Sequence, residues 1–432
     1  MLTAEENSTL TEVGPNTPMG RMMRRFWVPI CTSAQVAEND SDPLRAPLLG
    51  ENFIVFRDTK GRVGVMDEGC MHRGVSLALG RVEDCGIRCL YHGWKFAVDG
   101  TIMETPNNSS EKFLKRQKAP AYPAREAGGL IWTYIGPKTQ EPPFPHWDFM
   151  NGPDENRAVI RLNTQANYLQ LFEGGCDSSH VGVLHSNQAN PTWMHGEFSS
   201  KDEDFNPGAL ASADNAPTLE IEDTAFGYHY AAKRKLTDGG QSVRVMPVIL
   251  PFVRVIPAAA YQFFAFEVPR DTNSTSTYLV AHGTKPIDRD EIIRIMGLTD
   301  TRFWNDDDCN FTVDWSNRMG QDRARMATDW TGFDGIEQED AVLAVSCGPV
   351  VDRTKEHMVA ADRAVIHLRA RLLESVRRNE EDGDPICVEI ANLDDIRCAP
   401  DTPVEEGQHW RELVPGNASH LSAPYAPSGA GK

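Results

Sequence analysis

Two short segments, Cys70-Met71-His72 and Cys89-Leu90-Tyr91-His92-Gly93-Trp94, constrain this chain more than any other feature of its 432 residues. Each carries one cysteine and one histidine, and sixteen residues (73 to 88) separate the pairs. Two sulfur and two nitrogen donors converge only if two loops are held face to face, and flanking strands hold loops in that way. The neighbouring sequence supplies short β-rich runs at Phe53 to Arg57, Gly61 to Met66 and Gly128 to Ile135. Asp99-Gly100, within Val98 to Thr101, is a hairpin turn signal. Residues 24 to 137 therefore read as a small all-β domain.

Two thiolates on one iron and two imidazoles on the other make the ligand set of a [2Fe-2S] cluster of the Rieske kind. Neutral imidazoles leave the cluster less negative and raise its potential, so it relays electrons from a reductase to oxygen chemistry. The competing reading is structural zinc, which also takes two cysteines and two histidines. Zinc sites put two to four residues between paired cysteines, whereas here each pair is mixed and one has a single intervening residue. Cys85 lies between the pairs, breaks the symmetry of the two loops and is read as a buried thiol.

A second constellation runs from Glu173 to His185, Glu-Gly-Gly-Cys-Asp-Ser-Ser-His-Val-Gly-Val-Leu-His. His180 and His185 are five apart and face one metal if the helix is distorted near Gly182. Two histidines and one carboxylate form the facial triad of oxygen-activating Fe(II), which leaves positions open for O2. Asp177, one helical turn before His180, suits an orienting role, accepting a hydrogen bond from that imidazole. The third ligand then comes from elsewhere. Asp340 is the best candidate in an acidic stretch that also holds Asp334, Glu337 and Glu339; any one of these reads on its own as a solvated carboxylate, and position alone does not choose among them.

Around these motifs, Lys138 to Asp154 is rich in proline and polar residues, which puts a boundary near residue 150. The expected division is an N-terminal segment 1–24, a cluster domain 25–150 and a catalytic domain 151–432. In the last, Asn163 to His185 reads as largely helical, Tyr228 to Lys235 and Val243 to Pro257 as paired strands, and Glu356 to Arg378 as a helix. The tail from Glu405 is rich in proline, glycine and serine and reads as ragged. The fold class is α+β.

The net charge of −19 argues against a nucleic acid partner. No apolar run is long enough for a membrane span, and Met1 to Leu10 has no basic and apolar leader pattern, so a cytoplasmic protein is expected. Nine scattered cysteines in a chain of this size point to reduced thiols and metal ligands rather than a disulfide framework. No Gly-x-Gly-x-x-Gly follows a strand and there is no second cysteine cluster, so NADH and flavin are expected on a separate flavin and iron-sulfur reductase.

Taken together the two motifs resemble the α-subunits of Rieske non-haem iron oxygenases, and Glu173-Gly174-x-x-Asp177-Ser178-Ser179-His180-x-Gly182-x-Leu184-His185 is similar to the phthalate dioxygenase type. Gly20 to Pro29 resembles the opening of that group, and the likeness runs from about residue 14 to 380. The resemblance implies an antiparallel β-sandwich cluster domain and a helix-grip catalytic domain, with Asp340 at the position of the carboxylate ligand. It also implies a head-to-tail homotrimer, or two stacked trimers, in which His92 of one chain meets Asp177 of the next.

Members of that type act on ring carboxylates such as phthalate isomers, chlorobenzoates and phenoxybenzoates. A carboxylate in an apolar pocket calls for arginine. Arg244, where the group places a pocket strand, and Arg234 are the candidates. The expected activity is dihydroxylation of an aromatic carboxylate to a cis-dihydrodiol, with a lean toward a monocarboxylate such as 3-chlorobenzoate. Its rivals are a monooxygenase (hydroxylase or O-demethylase) with the same two centres, a non-catalytic electron-transfer protein, and a colourless zinc-stabilised binding protein.

Overall fold

In the computed structural model, which describes residues 2–108, 110–186, 214–236, 239–258, 261–405 and 407–421, the Asp99-Gly100 signal marks a hairpin. Lys95–Phe96 pairs antiparallel with Ile102–Glu104, and Gly100 adopts a φ of +80° that the turn requires. Two compact units share the chain. One comprises residues 12–144 with Val268–Thr272, the other the chain up to Thr11 with Pro145–Glu267 and everything from Asn273 onward. The first 24 residues thus contribute to both units.

The smaller unit is built of antiparallel strands. Leu44–Leu48, Glu51–Arg57, Val63–Asp67 and Ala121–Tyr122 form one sheet, and Arg81–Glu83, Gly86–Arg88, Lys95–Phe96 and Ile102–Glu104 form another. Val28–Thr32, Leu130–Thr133 and Ala124–Ala127 make a third. Ile54, Phe56, Met66, Ile87, Trp94 and Phe96 pack into one core that also takes in Cys70 and Cys89, so the two cysteine loops are anchored by the hydrophobic effect at their bases. Cys85 is half-buried rather than buried. It sits at φ +65° in the turn joining Arg81–Glu83 to Gly86–Arg88, where a short hairpin leaves its side chain partly in solvent.

The larger unit is organised on one sheet with strand order Arg157–Thr164, Ser274–Gly283, Tyr261–Asp271, Val253–Pro257, Gln241–Ile249, Gly227–Lys235 and Thr218–Thr224, with Ala399–Val404 added against Gln241–Ile249. Helices Tyr168–Cys176, Ile336–Ser346 and Arg363–Glu380 accompany it. The Tyr228 hydroxyl donates to the Ala364 carbonyl at 2.9 Å, tying the long helix to the sheet. Among the described residues no helix is long and apolar enough to cross a membrane.

Three local expectations are corrected. The segment 163–185 is not one helix: a strand runs to Thr164, Asn167 caps a helix over Tyr168–Cys176, Asp177 is extended, and one helical turn follows at Val181–Leu184. The break falls just after Gly174 and Gly175, which weaken a helix from within. Val243 to Pro257 is two strands divided at Leu250–Phe252, because Pro251 has no N–H to continue the ladder. The helix expected from Glu356 begins only at Arg363; ahead of it the Asp362 side chain accepts from the Val359 N–H at 2.7 Å and holds a tighter turn. Residues 422–432 of the expected ragged tail lie outside the described residues.

Candidate metal centres

The two loops of the smaller unit have the same backbone construction. The Cys70 N–H donates to Val75 O and the Gly74 N–H to Cys70 O, both at 2.8 Å. The Cys89 N–H donates to Trp94 O at 2.8 Å and the Gly93 N–H to Cys89 O at 3.0 Å. Each loop turns on a glycine in the left-handed region, Gly74 at φ +74° and Gly93 at +72°. A Cβ on Gly93 would also lie 3.1 Å from Pro106 Cγ. Gly93→Ala is therefore expected to cost about 1–2 kcal/mol of stability and to lower cluster content, read as a reduced urea midpoint alongside weaker visible absorption per chain.

This double loop brings Cys70, His72, Cys89 and His92 together. The His72 and His92 rings lie 4.6 Å apart, and Trp94 stacks on His72 at 4.5 Å and 6° while its Nε1–H donates to Asn107 Oδ1 at 2.7 Å. Burial raises the Cys70 thiol above its ordinary value; the His72 backbone N–H opposes this and Cys89 adds to it. Such a thiol ionises only when a metal takes the sulfur. The buried Nδ1 of His92 has no hydrogen-bond partner among the described residues. Two screened thiols beside two imidazoles, one with an orphaned nitrogen, fit a cluster held by two sulfurs and two nitrogens. Leu90 and Tyr91, next to His92, are largely exposed.

In the larger unit His180 and His185 bracket the single turn Val181–Leu184, as its first and last flanking residues, so no distortion at Gly182 is needed. Asp340 arrives from the second turn of the Ile336–Ser346 helix. Its Oδ1 lies 3.7 Å from His180 Nε2 and 3.4 Å from His185 Nε2. One donor atom from each of the three lies within 4.8 Å of the others. Donors bound at about 2.1 Å to one ion and subtending about 90–110° are about 3.0–3.4 Å apart, so the set needs only a small contraction to hold a metal.

Both imidazoles present Nε2 to the centre and Nδ1 to a carboxylate. Asp177 Oδ2 is 3.4 Å from His180 Nδ1, and Asp177 Oδ1 accepts from the N–H and hydroxyl of Ser179, each at 2.7 Å. Burial alone would raise the Asp177 carboxyl, but His180 and Ser179 bring it down to about 2. His185 Nδ1–H donates to Glu339 Oε2 at 2.7 Å, and Thr331 closes the other Glu339 oxygen at 2.5 Å. Burial would lower the His185 imidazole, but Asp340 and Glu339 raise it to about 10. Burial likewise opposes ionisation of Asp340, yet His185 and His180 hold that carboxyl well below the usual range. Glu337 and Glu339 are not solvated as the sequence suggested: they are 3% and 0% exposed, because the helix start carrying them is packed inside the unit. Asp334 is exposed and paired with Arg325.

A cavity adjoins these donors, lined by Val181, Ile256, Phe263, Leu279 and Met296 with the polar groups Arg244, Arg254 and Glu337. Arg244 is thus on its wall. Arg234 is not among the lining residues; it is 1% exposed and donates to Ser178 O at 2.6 Å, Asp401 Oδ1 at 3.0 Å and Asp214 O at 3.1 Å. Asp401 also lies 3.6 Å from Arg244, so two guanidiniums share one carboxylate. Arg254 is closed on Glu267 by bonds of 3.0 and 2.8 Å, and a Cβ on Gly175 would fall 1.8 Å from Arg254 Cδ, which is why that helix position is glycine.

Comparison with known proteins agrees with both centres. Residues 26–123 match the Rieske [2Fe-2S] domain family, and residues 133–423, well over half the chain, match the family described as LigXa C-terminal domain like. The chain belongs to the Rieske non-haem iron oxygenases. It is 34% identical to the phthalate 4,5-dioxygenase oxygenase subunit of Pseudomonas putida, covering 95% of this chain and 94% of that one. It is 31% identical to the 3-chlorobenzoate-3,4-dioxygenase oxygenase subunit of Comamonas testosteroni, covering 89% and 90%. The solved structure of Pseudomonas putida CBB5 NdmA with caffeine superposes with a TM-score of 0.60 at 18% identity over 91% of this chain and 100% of that one, a likeness of fold. As a terminal oxygenase subunit of the phthalate dioxygenase type, this Rieske oxygenase works with a [2Fe-2S] cluster, a mononuclear iron and electrons from a partner reductase.

Proposed function

We propose that this oxygenase dihydroxylates an aromatic carboxylate: ring, O2, two electrons and two protons give a cis-dihydrodiol. The observation that carries this reading is Arg244 on the cavity wall beside the His180, His185 and Asp340 donors, with Asp401 behind it between Arg244 and Arg234. Arg244 puts a buried guanidinium on that wall, where a substrate carboxylate would meet a donor able to bond it bidentately. The names of the phthalate and chlorobenzoate relatives support the same class.

In this reading Cys70, His72, Cys89 and His92 hold the cluster, and His180, His185 and Asp340 hold the iron. The bound cluster supplies electrons and the bound iron supplies the place where O2 is activated. Asp177 and Glu339 fix the two imidazole rings through their Nδ1 atoms. Phe263, Leu279 and Met296 receive the ring and exclude water, and Arg244 fixes its orientation through the carboxylate. Arg234 acts from behind, holding Asp401 in place. A homotrimer in which His92 of one chain meets Asp177 of the next, or a stack of two, belongs to the same proposal; the exposed Leu90 and Tyr91 beside His92 support it.

Arg244→Ala is expected to raise KM about tenfold to a hundredfold, the worth of a charge-assisted hydrogen bond, with the cluster's visible spectrum unchanged. Unaltered kinetics would remove Arg244 from the site. The reaction itself is tested by mass spectrometry of products formed from labelled O2, NADH, a compatible reductase and a panel of benzoates and phthalates. Two labelled oxygens in a ring diol are expected; one would make the protein a monooxygenase, and NADH oxidation without product would overturn the substrate class.

A further inference from the structure

The cavity holds a second polar group that substrate carboxylate binding leaves unused. Glu337 comes from the first turn of the Ile336–Ser346 helix, lines the same cavity as Arg244 and is 3% exposed. Its surroundings do not satisfy it. Arg254 Nη2 is 4.0 Å from Glu337 Oε2, beyond hydrogen-bond reach, and is already committed to Glu267 Oε1 at 2.8 Å. The other Glu267 oxygen accepts from the Thr277 hydroxyl at 2.6 Å, so that pair is complete without Glu337. Glu337 Oε1 has no hydrogen-bond partner among the described residues. A buried carboxyl oxygen left unpaired is costly, and on a cavity wall the atom able to relieve it belongs to a ligand.

We infer that Glu337 is a specificity-determining residue that pairs with a hydroxyl or amino substituent on the substrate ring, so that the substrate is a hydroxy- or amino-substituted aromatic carboxylate. This deepens the aromatic-carboxylate reading and rests on it. Arg244 stands on the strand Gln241–Ile249 and Glu337 on a helix, with Phe263, Leu279 and Met296 supplying apolar wall. A ring bearing one anion and one hydrogen-bond donor answers both polar groups. A hydroxyl suits Glu337 in either protonation state, since it both donates and accepts. A bare or halogenated ring leaves Oε1 unpaired.

The test is calorimetric binding of benzoate, 3- and 4-hydroxybenzoate, 3- and 4-aminobenzoate and phthalate to the anaerobic holoprotein. It is run on the natural sequence, Glu337→Gln, Glu337→Leu and Arg244→Met. At least one hydroxy- or aminobenzoate is expected to bind about tenfold or more tighter than benzoate. In Glu337→Leu that ratio falls to near unity. An unchanged ratio in both variants, with all ligands weakened by Arg244→Met, would overturn the role of Glu337 and leave the carboxylate reading in place. If Arg244→Met weakens none of them while Glu337→Leu still abolishes the preference, the carboxylate reading fails and the role of Glu337 stands.

Discussion

Asp340→Ala is expected to leave the protein coloured and inactive: mononuclear iron falls to about one-tenth of the natural level or less, turnover is lost, and the cluster's absorption persists. The expectation follows from how the donors are distributed. Asp340 Oδ1 is the atom shared between His180 Nε2 and His185 Nε2, at 3.7 and 3.4 Å. Removing it leaves two imidazoles without the anion that balances a divalent cation, in a pocket where burial opposes uncompensated charge. The cluster ligands all lie in the other unit, between Cys70 and His92, so their absorption is an internal control for folding. Metal analysis with visible spectroscopy on one sample decides it. Retention of full iron in the variant would assign the third ligand elsewhere, with Glu339 the next carboxylate to replace.

Much of this arrangement was legible in the chain because it is local. The loops of Cys70–His72 and Cys89–His92 close on backbone hydrogen bonds spanning four and five residues; Gly93 stands in the second motif and Gly74 two residues past the first. His180 and His185 bracket one turn, so their pairing is local, although the single turn makes the distortion expected near Gly182 unnecessary. What sequence could not place was set by partners far along the chain. Glu339 read as solvated, yet it is buried against His185, 154 positions away. A signal did exist: the helix Ile336–Ser346 carries Glu337, Glu339 and Asp340 without a single Lys or Arg, whereas a solvated acidic face usually has cationic neighbours at helical spacing. The break after Gly174-Gly175 was misread for a related reason. Periodicity reports an apolar face, whereas Gly175 is dictated by the passage of Arg254, and Glu173 by its bonds to Arg353 and Arg369.

The carboxylates around His185 imply a steep pH dependence of iron uptake. In protein depleted of mononuclear iron but retaining its cluster, Asp340 and Glu339 raise the His185 imidazole to about 10. Iron binds only the neutral ring, so below that pH each uptake displaces a proton, and apparent affinity rises about tenfold per pH unit. From pH 6 to pH 8 the gain is about a hundredfold. The sign for stability is opposite. A proton held more tightly in the folded than the unfolded state stabilises the iron-depleted protein fully below pH 6.5, and that contribution is lost as pH rises through about 10. Iron-loaded protein, whose ring is already neutral, lacks this term. The difference in Tm between the two forms is therefore expected to widen with increasing pH, while chelator competition shows tighter iron binding and a pH electrode records proton release. An affinity that stays flat between pH 6 and 8 would mean that His185 is neutral without iron, and that Asp340 and Glu339 orient the ring without holding its proton.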